Sequence, residues 1–148
     1  MKQTDYRKNV GIMLIDNDEK ILAGEARYYP GEWMMPQGGA EGSESPEETL
    51  WRELLEETGI TRDQTTLVAQ YPHWLYYKLR RPLTENNHTF LGQKQRWFLL
   101  HYNGPLPNLE EIAEKEFLQF DWVTSKWLLA HSAEVKVDIY SRLFSYFL

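Results

Sequence analysis

Short apolar runs separated by polar turns begin the chain, and their length predicts β-strands. Residues 10–15 form a continuous apolar run, which is typical of a buried strand. The polar residues 16–19 separate this run from a second one at 20–27, so the two runs predict a hairpin.

Strand-like runs continue after a central helical segment. The later strand predictions are 65–71, 73–79, 95–102 and 117–123. The segments 81–92 and 103–108 are predicted as loops. Apolar residues at four-residue spacing predict an amphipathic helix over 133–147. Strands on both sides of one helix, with a second helix at the end, predict a mixed α/β domain.

The central helix has start and stop signals at both ends. Ser45 fits the N-cap, Pro46 the first helical position, and Glu48 the acidic position of a capping box. Gly59 fits the position that ends the helix, because glycine accepts the left-handed conformation found there.

This helix has an apolar side and an acidic side. The predicted apolar side consists of Leu50, Trp51, Leu54, Leu55 and Thr58. Glu53, Glu56 and Glu57 gather on an adjoining arc, where Arg52 can neutralise one of them, most simply Glu56.

Two interpretations of the acidic arc are open at this point. A solvated acidic face is the ordinary explanation for a Glu-rich helix. The glycines at 38, 39 and 42 directly before the helix favour a second explanation, because they allow positive φ and close backbone approach. Carboxylate and carbonyl oxygens together suit a hard divalent cation such as Mg²⁺ or Mn²⁺.

The spacing of these residues resembles the signature of the Nudix hydrolases. Gly38, five residues, Glu44, seven residues and then the run RELLEETGI at 52–60 match that signature without a departure. The resemblance implies a single Nudix domain over residues 1–148, with the α/β Nudix fold: a mixed β-sheet sandwiched between α-helices (α/β/α). It also implies hydrolysis of a nucleoside diphosphate linked to another group, with more than one metal ion in the site.

The segments around the signature resemble one subgroup, the bacterial RNA pyrophosphohydrolases and the related dinucleoside polyphosphate hydrolases. These segments are 6–12, 33–39, 74–79 and 92–100. The resemblance implies a metal-dependent enzyme that removes pyrophosphate from the 5′-triphosphate end of RNA. The alternative is a hydrolase of diadenosine tetra- or pentaphosphate and similar compounds, and a third hypothesis is a nucleotide-binding protein without turnover.

The resemblance also assigns residues to the reaction. It implies that Arg52, Glu53, Glu56 and Glu57 form the catalytic set, with Glu53 as the leading general base. The implied metal ligands are Gly38 (through its carbonyl), Glu53, Glu56, Glu57 and Glu116. Glu110, Glu111 and Glu114 compete with Glu116 for its role.

Six residues are implied to bind the substrate: Arg7, Arg27, Gln37, Tyr77, Gln95 and Lys136. From the sequence alone Arg7 and Arg27 could equally be surface cations, and Tyr77 and Trp97 could be core aromatics. The cations Lys78, Arg80, Arg81, Lys94 and Arg96 could form a basic rim for RNA or a solvated loop.

Composition narrows the range of partners. A formal net charge of −6 argues against a protein that binds polyanions through its overall charge, so a nucleic-acid contact requires a local basic surface. The chain has no cysteine, no signal-peptide pattern and no apolar run long enough for a bilayer. We therefore expect a cytoplasmic monomer that binds neither membranes nor DNA.

Overall fold

In the computed structural model, which describes residues 2–148, eight strands form one sheet and three α-helices pack around it. The strands are β1 (Tyr6–Ile15), β2 (Ile21–Ala26), β3 (Trp33–Met34), β4 (Gln37–Gly39), β5 (Thr66–Gln70), β6 (Leu75–Glu85), β7 (His88–His101) and β8 (Phe117–Val123). The helices are α1 (Pro46–Thr58), α2 (Ser125–His131) and α3 (Glu134–Phe147).

The sheet is mixed, as predicted, because one pair of long neighbouring strands runs parallel. β1 and β7 pair in parallel from Tyr6 opposite Gly92 to Ile15 opposite His101. The other pairings are antiparallel: β2 and β4 with β1, β5 and β6 with β7, and β3 and β8 with β2. β1 therefore lies at the centre of the sheet, with the short strand β4 beside its first half.

Alternating side chains of β1 and β7 fill two separate cores, one on each face of the sheet. The core on the α3 side contains Met13, Trp97 and Leu99 with Tyr140 and Leu143 of α3. The core on the α1 side contains Ile12, Leu14 and Phe98 with Leu50 and Leu54 of α1. The sheet is thus sandwiched between helices as expected, and Trp97 is a core aromatic.

The caps of α1 are confirmed, but the prediction that Leu55 belongs to its buried apolar side is wrong. The Ser45 hydroxyl accepts from the Glu48 amide at 3.2 Å, and the Glu48 carboxylate accepts from the Ser45 amide at 3.0 Å. Gly59 ends the helix with φ of 74°. Leu55 is 52% exposed, because the flank that carries Glu53 and Glu57 faces the interior instead.

The predicted loop at 81–92 is wrong: it is the end of a long hairpin between β6 and β7. Asn86 and Asn87 connect the strands with φ values of 51° and 63°, which matches the positive-φ pair of a two-residue hairpin turn. Pro82 is tolerated because β6 pairs on one side only and the register shifts between Lys78 and Leu83. The polar composition that indicated a loop reflects the exposure of this hairpin.

The C-terminal helix is confirmed at Glu134–Phe147, and a short helix at Ser125–His131 precedes it that the sequence did not predict. The Thr124 hydroxyl caps the short helix by accepting from the Trp127 amide at 3.1 Å. Among residues 2–148, no helix combines the length and the apolar character needed to cross a bilayer.

Candidate active site

The site is built around β4, where two glycines let charged side chains lie directly against the backbone. A Cβ at Gly38 would lie 1.9 Å from the carboxylate carbon of Glu53, and a Cβ at Gly39 would lie 2.0 Å from Cζ of Arg7. Of the glycines in the preceding loop and strand, only Gly42 has positive φ, at 53°. Gly38 and Gly39 are therefore required for close approach rather than for backbone conformation.

We expect Gly38→Ala to lower kcat by about 10²-fold with little loss of stability, because the added methyl group displaces the flexible end of Glu53. Steady-state kinetics and thermal unfolding measure the two effects. Gly104→Ala is a matched control. Its Cβ would lie similarly close to a side chain, 2.4 Å from the Tyr102 hydroxyl, but Gly104 lies in a loop away from this site. A Gly38→Ala enzyme with normal kcat would show that the Glu53 position does not matter.

Arg52 holds the acidic arc together. Its Nε and Nη2 donate to the two carboxylate oxygens of Glu44 at 2.7 and 2.9 Å, and Nη2 also donates to the Gly39 carbonyl at 2.7 Å. Nη1 donates to Glu53 at 2.9 Å and to Glu56 at 3.0 Å. Arg52 therefore hydrogen-bonds to three carboxylates rather than to Glu56 alone, forms an ion pair with Glu41 at 3.5 Å, and ties α1 to β4. The Arg52 guanidinium lowers the pKa of Glu44 to about 2.

Glu53 and Glu57 are buried acids, each only 7% exposed. Burial raises the pKa of Glu53 to about 7, even though Arg52 opposes this shift. Burial also raises the pKa of Glu57 well above its ordinary value, and the charges of Glu53 and Glu116 add to the effect. The backbone amide of Gln37 donates to the Glu57 carboxylate at 3.3 Å and partly compensates for the burial of its charge. Two buried carboxylates, with the charge of Glu53 acting on Glu57, favour a bound proton or a cation.

These acids fit a divalent cation by the chemistry of their donor atoms. Within residues 2–148, no three His, Asp or Glu side chains are arranged as a ready-made metal site, and Arg52 takes oxygens of Glu53 and Glu56. The charges of Glu53 and Glu116 both act on Glu57, and carboxylate oxygens of this kind suit Mg²⁺ or Mn²⁺. Of the competing acids, Glu114 acts electrostatically on Glu53.

Glu57, one of the two buried acids, lines a cavity of about 320 Å³. Its lining brings together six of the residues assigned from the sequence: Arg27, Gln37, Glu57, Tyr77, Glu116 and Lys136. Tyr28, Tyr29 and Trp33 provide further aromatic wall. Lys136 Nζ donates to Gln37 Oε1 at 2.9 Å, and burial lowers the pKa of Lys136 to about 8. The cavity therefore combines acids, cations and aromatic rings.

A buried amide network behind the cavity fixes Gln37 and Tyr77. Gln37 and Gln93 each donate to the Tyr77 hydroxyl, at 2.9 and 2.7 Å. Gln95 is 1% exposed and lies behind the cavity wall, where it donates to Gln37 and to Asn9. Asn9 in turn donates to Gln93 at 2.8 Å. Asn9 and Gln93 were not predicted as site residues, although polar residues at core-facing strand positions are a usable signal.

The two arginines assigned to the substrate lie in different surroundings. Arg7 is half-buried and pairs with Glu85 at 3.0 Å, and it donates to Gln93 at 3.4 Å. Arg27 is exposed on the cavity lining, and its backbone amide donates to the Glu116 carbonyl at 3.0 Å. Glu85 was missed by the sequence analysis, because it reaches Arg7 only through the unpredicted β6–β7 hairpin.

The fold and the site together define a family. The chain matches the NUDIX domain family over residues 5–143. It belongs to the Nudix hydrolases and is a hydrolase of phosphoanhydride bonds.

Individual similar proteins are consistent with this class. The chain is 36% identical to the RNA pyrophosphohydrolase of Vibrio cholerae over 141 residues. The aligned region covers 93% of this chain and 81% of that protein. It is 36% identical over 146 residues to the RNA pyrophosphohydrolase of Proteus mirabilis, with coverage of 96% and 82%. The fold is similar to that of the C. elegans Ap4A hydrolase binary complex, with a TM-score of 0.70, 21% identity, and coverage of 95% and 96%. The relatives support a pyrophosphohydrolase activity.

Proposed function

We propose that the chain removes pyrophosphate from the 5′-triphosphate end of RNA in a metal-dependent reaction. The observation that carries this proposal is the pair of buried acids, Glu53 and Glu57, of which Glu57 lines a cavity together with Arg27 and Lys136. Buried carboxylates next to cations suit a substrate whose phosphates bring their own metal ions. The names of the two bacterial relatives point to RNA as the substrate.

The metal ligands in this proposal are Gly38, Glu53, Glu56, Glu57 and Glu116. When bound, Mg²⁺ or Mn²⁺ ions neutralise phosphate oxygens and lower the pKa of a coordinated water. Arg52 positions Glu53 and Glu56 through its shared donor, Nη1.

The protein's own residues then act on the water and the phosphates. Glu53 accepts a proton from the water that attacks phosphorus, and its burial beside Gly38 fixes the position of the accepting carboxylate. Arg7, Arg27 and Lys136 bind phosphate oxygens, and Arg7 exchanges its pairing with Glu85 for the substrate. Water adds to phosphorus as the phosphoanhydride bond breaks, leaving pyrophosphate and a 5′-monophosphate RNA end.

A dinucleoside polyphosphate is the second candidate substrate. The cavity of about 320 Å³ has aromatic walls beside its cations, which suits a nucleoside with no RNA chain attached. The third hypothesis, nucleotide binding without turnover, is disfavoured because every acid of the catalytic set is present.

Side-by-side assays separate these candidates. Triphosphorylated RNA and diadenosine tetraphosphate are incubated with the protein and Mg²⁺, and kcat/KM is compared. We expect the RNA value to be higher and both activities to stop when EDTA removes the metal. Cleavage of diadenosine tetraphosphate alone would favour the second candidate, and binding without product would favour the third. The cytoplasmic location and monomeric state stay predictions.

A further inference from the structure

One face of the sheet is uncovered where β1, β6 and β7 extend beyond α1. On this face Val10 and Ile12 of β1 pack under α1, whereas Lys8, two residues earlier, is exposed. Lys8 lies opposite Lys94 of β7, and Lys94 lies opposite Tyr76 of β6. The three side chains therefore form one row across three strands on the α1 side of the sheet.

Cations and aromatic rings alternate on this uncovered face, which we call the basic face and define as Lys8, Trp74, Tyr76, Lys78, Lys94 and Arg96. Arg96 Cζ lies 4.5 Å and Lys94 Nζ 5.3 Å from the centre of the Trp74 ring. Tyr76 is 43% exposed. Within residues 2–148 none of its four cations forms an ion pair with a carboxylate. A cluster of this sign is notable in a chain with net charge −6.

An open groove of about 530 Å³ lies beside the basic face and reaches Arg7. It is lined by Arg7, whose guanidinium packs on Gly39 beside the Glu53 contact, and by Lys8 and Lys94 of the basic face. Phe90 also lines the groove and adds a further ring. Arg7, a proposed phosphate ligand, therefore shares one groove with two cations of the basic face.

We propose that the basic face binds the single-stranded RNA that follows the triphosphorylated 5′ nucleotide. Cations that track the backbone, with aromatic rings on which bases stack, are the usual means of binding single-stranded nucleic acid. This inference rests on the proposed function and makes its substrate more specific, because a dinucleoside polyphosphate is too short to need this surface. The basic face thereby favours RNA of several nucleotides over smaller substrates.

The test compares two triple variants with the same change in charge. Lys78→Gln, Lys94→Gln and Arg96→Gln remove cations of the basic face, whereas Lys20→Gln, Lys126→Gln and Arg142→Gln remove exposed cations elsewhere. Fluorescence anisotropy measures the affinity for a single-stranded RNA dodecamer with a 5′-monophosphate over a range of salt concentrations. We expect the first variant to bind at least about tenfold more weakly, with the salt slope smaller by about 2, and the control to bind like wild type.

Kinetics then distinguish RNA binding from damage to the site. On a triphosphorylated dodecamer the first variant should show a raised KM with nearly normal kcat, and on a triphosphorylated dinucleotide it should match wild type.

Tyr76→Ala should weaken dodecamer binding by about tenfold through lost stacking. Equal losses on both substrates, equal losses in the control, or an unchanged salt slope would overturn the proposal. If wild type cleaves no triphosphorylated RNA, the proposed function fails while the anisotropy result still decides the basic face.

Discussion

Replacing Glu53 by glutamine is expected to lower kcat by about 10³-fold or more, because the amide cannot accept the proton of the attacking water or bind a metal as strongly. Glutamine preserves the shape of the side chain and leaves an oxygen to accept from Arg52 Nη1, so the fold should persist. Product release from a 5′-triphosphate substrate under saturating conditions measures the effect.

Glu47→Gln is the matched control for this substitution, since Glu47 is an exposed glutamate in the first turn of the same helix. It should leave kcat unchanged. If Glu53→Gln retained turnover within tenfold of wild type, the general base would have to be another residue, and Glu56 and Glu57 would be tested in the same way.

The raised pKa of Glu53 gives this variant a second, independent readout in the metal-free protein. Its ordinary value is 4.5 and burial raises it to about 7, so the folded protein holds a proton that the unfolded chain releases. Wild-type stability should therefore fall as the pH rises from 4.5 to 7, and this loss is absent from Glu53→Gln. The unfolding temperature of the variant should therefore rise relative to that of wild type as the pH increases across this range. Parallel pH profiles of the two proteins would contradict the burial of the Glu53 charge.

Replacing Arg52 by methionine is expected to lower the free energy of unfolding by about 2–4 kcal/mol and to reduce turnover. Methionine keeps much of the length of the side chain but leaves Glu44, Glu53 and Glu56 without their shared guanidinium. It also removes the hydrogen bond to the Gly39 carbonyl that ties α1 to β4. Denaturant unfolding measures the loss of stability, and steady-state kinetics measure the loss of turnover.

Arg142→Met makes the same chemical change in an exposed i,i+4 pair with Asp138 on α3. Such a pair contributes only about 0.3–0.5 kcal/mol, so this control should be nearly neutral. A loss for Arg52→Met no larger than that of the control would mean that the network at the acidic arc does not stabilise the fold.

Local features were the ones that the sequence predicted well. The caps of α1 depend on contacts between Ser45 and Glu48 only three residues apart, and Gly59 needs only its own freedom of φ. The acidic arc follows from helix periodicity alone. The hairpin at 81–92 was missed because its strands form through pairing between β6 and β7, and its turn uses Asn86 and Asn87 at positive φ rather than a glycine.

The outward position of Leu55 shows why helix periodicity cannot by itself choose the buried flank. Periodicity places Leu55 beside Leu54 and Glu53 beside Glu57, but which flank faces inward depends on what the helix packs against. Here Gly38 leaves space for the Glu53 carboxylate, so the acids lie inside and Leu55 faces solvent.

The sequence by itself determined the α1 helix, its caps, the acidic arc and the family signature, because each is contained in one continuous stretch of the chain, residues 38–60. Only the tertiary structure decided that Arg7 meets Glu85, that Asn9 and Gln93 support Gln37 and Tyr77, and that Lys8, Lys94 and Tyr76 share one uncovered face. Most of those contacts join residues far apart in the chain, and their geometry is set by the registers of β1 with β7 and of β6 with β7 rather than by any local pattern.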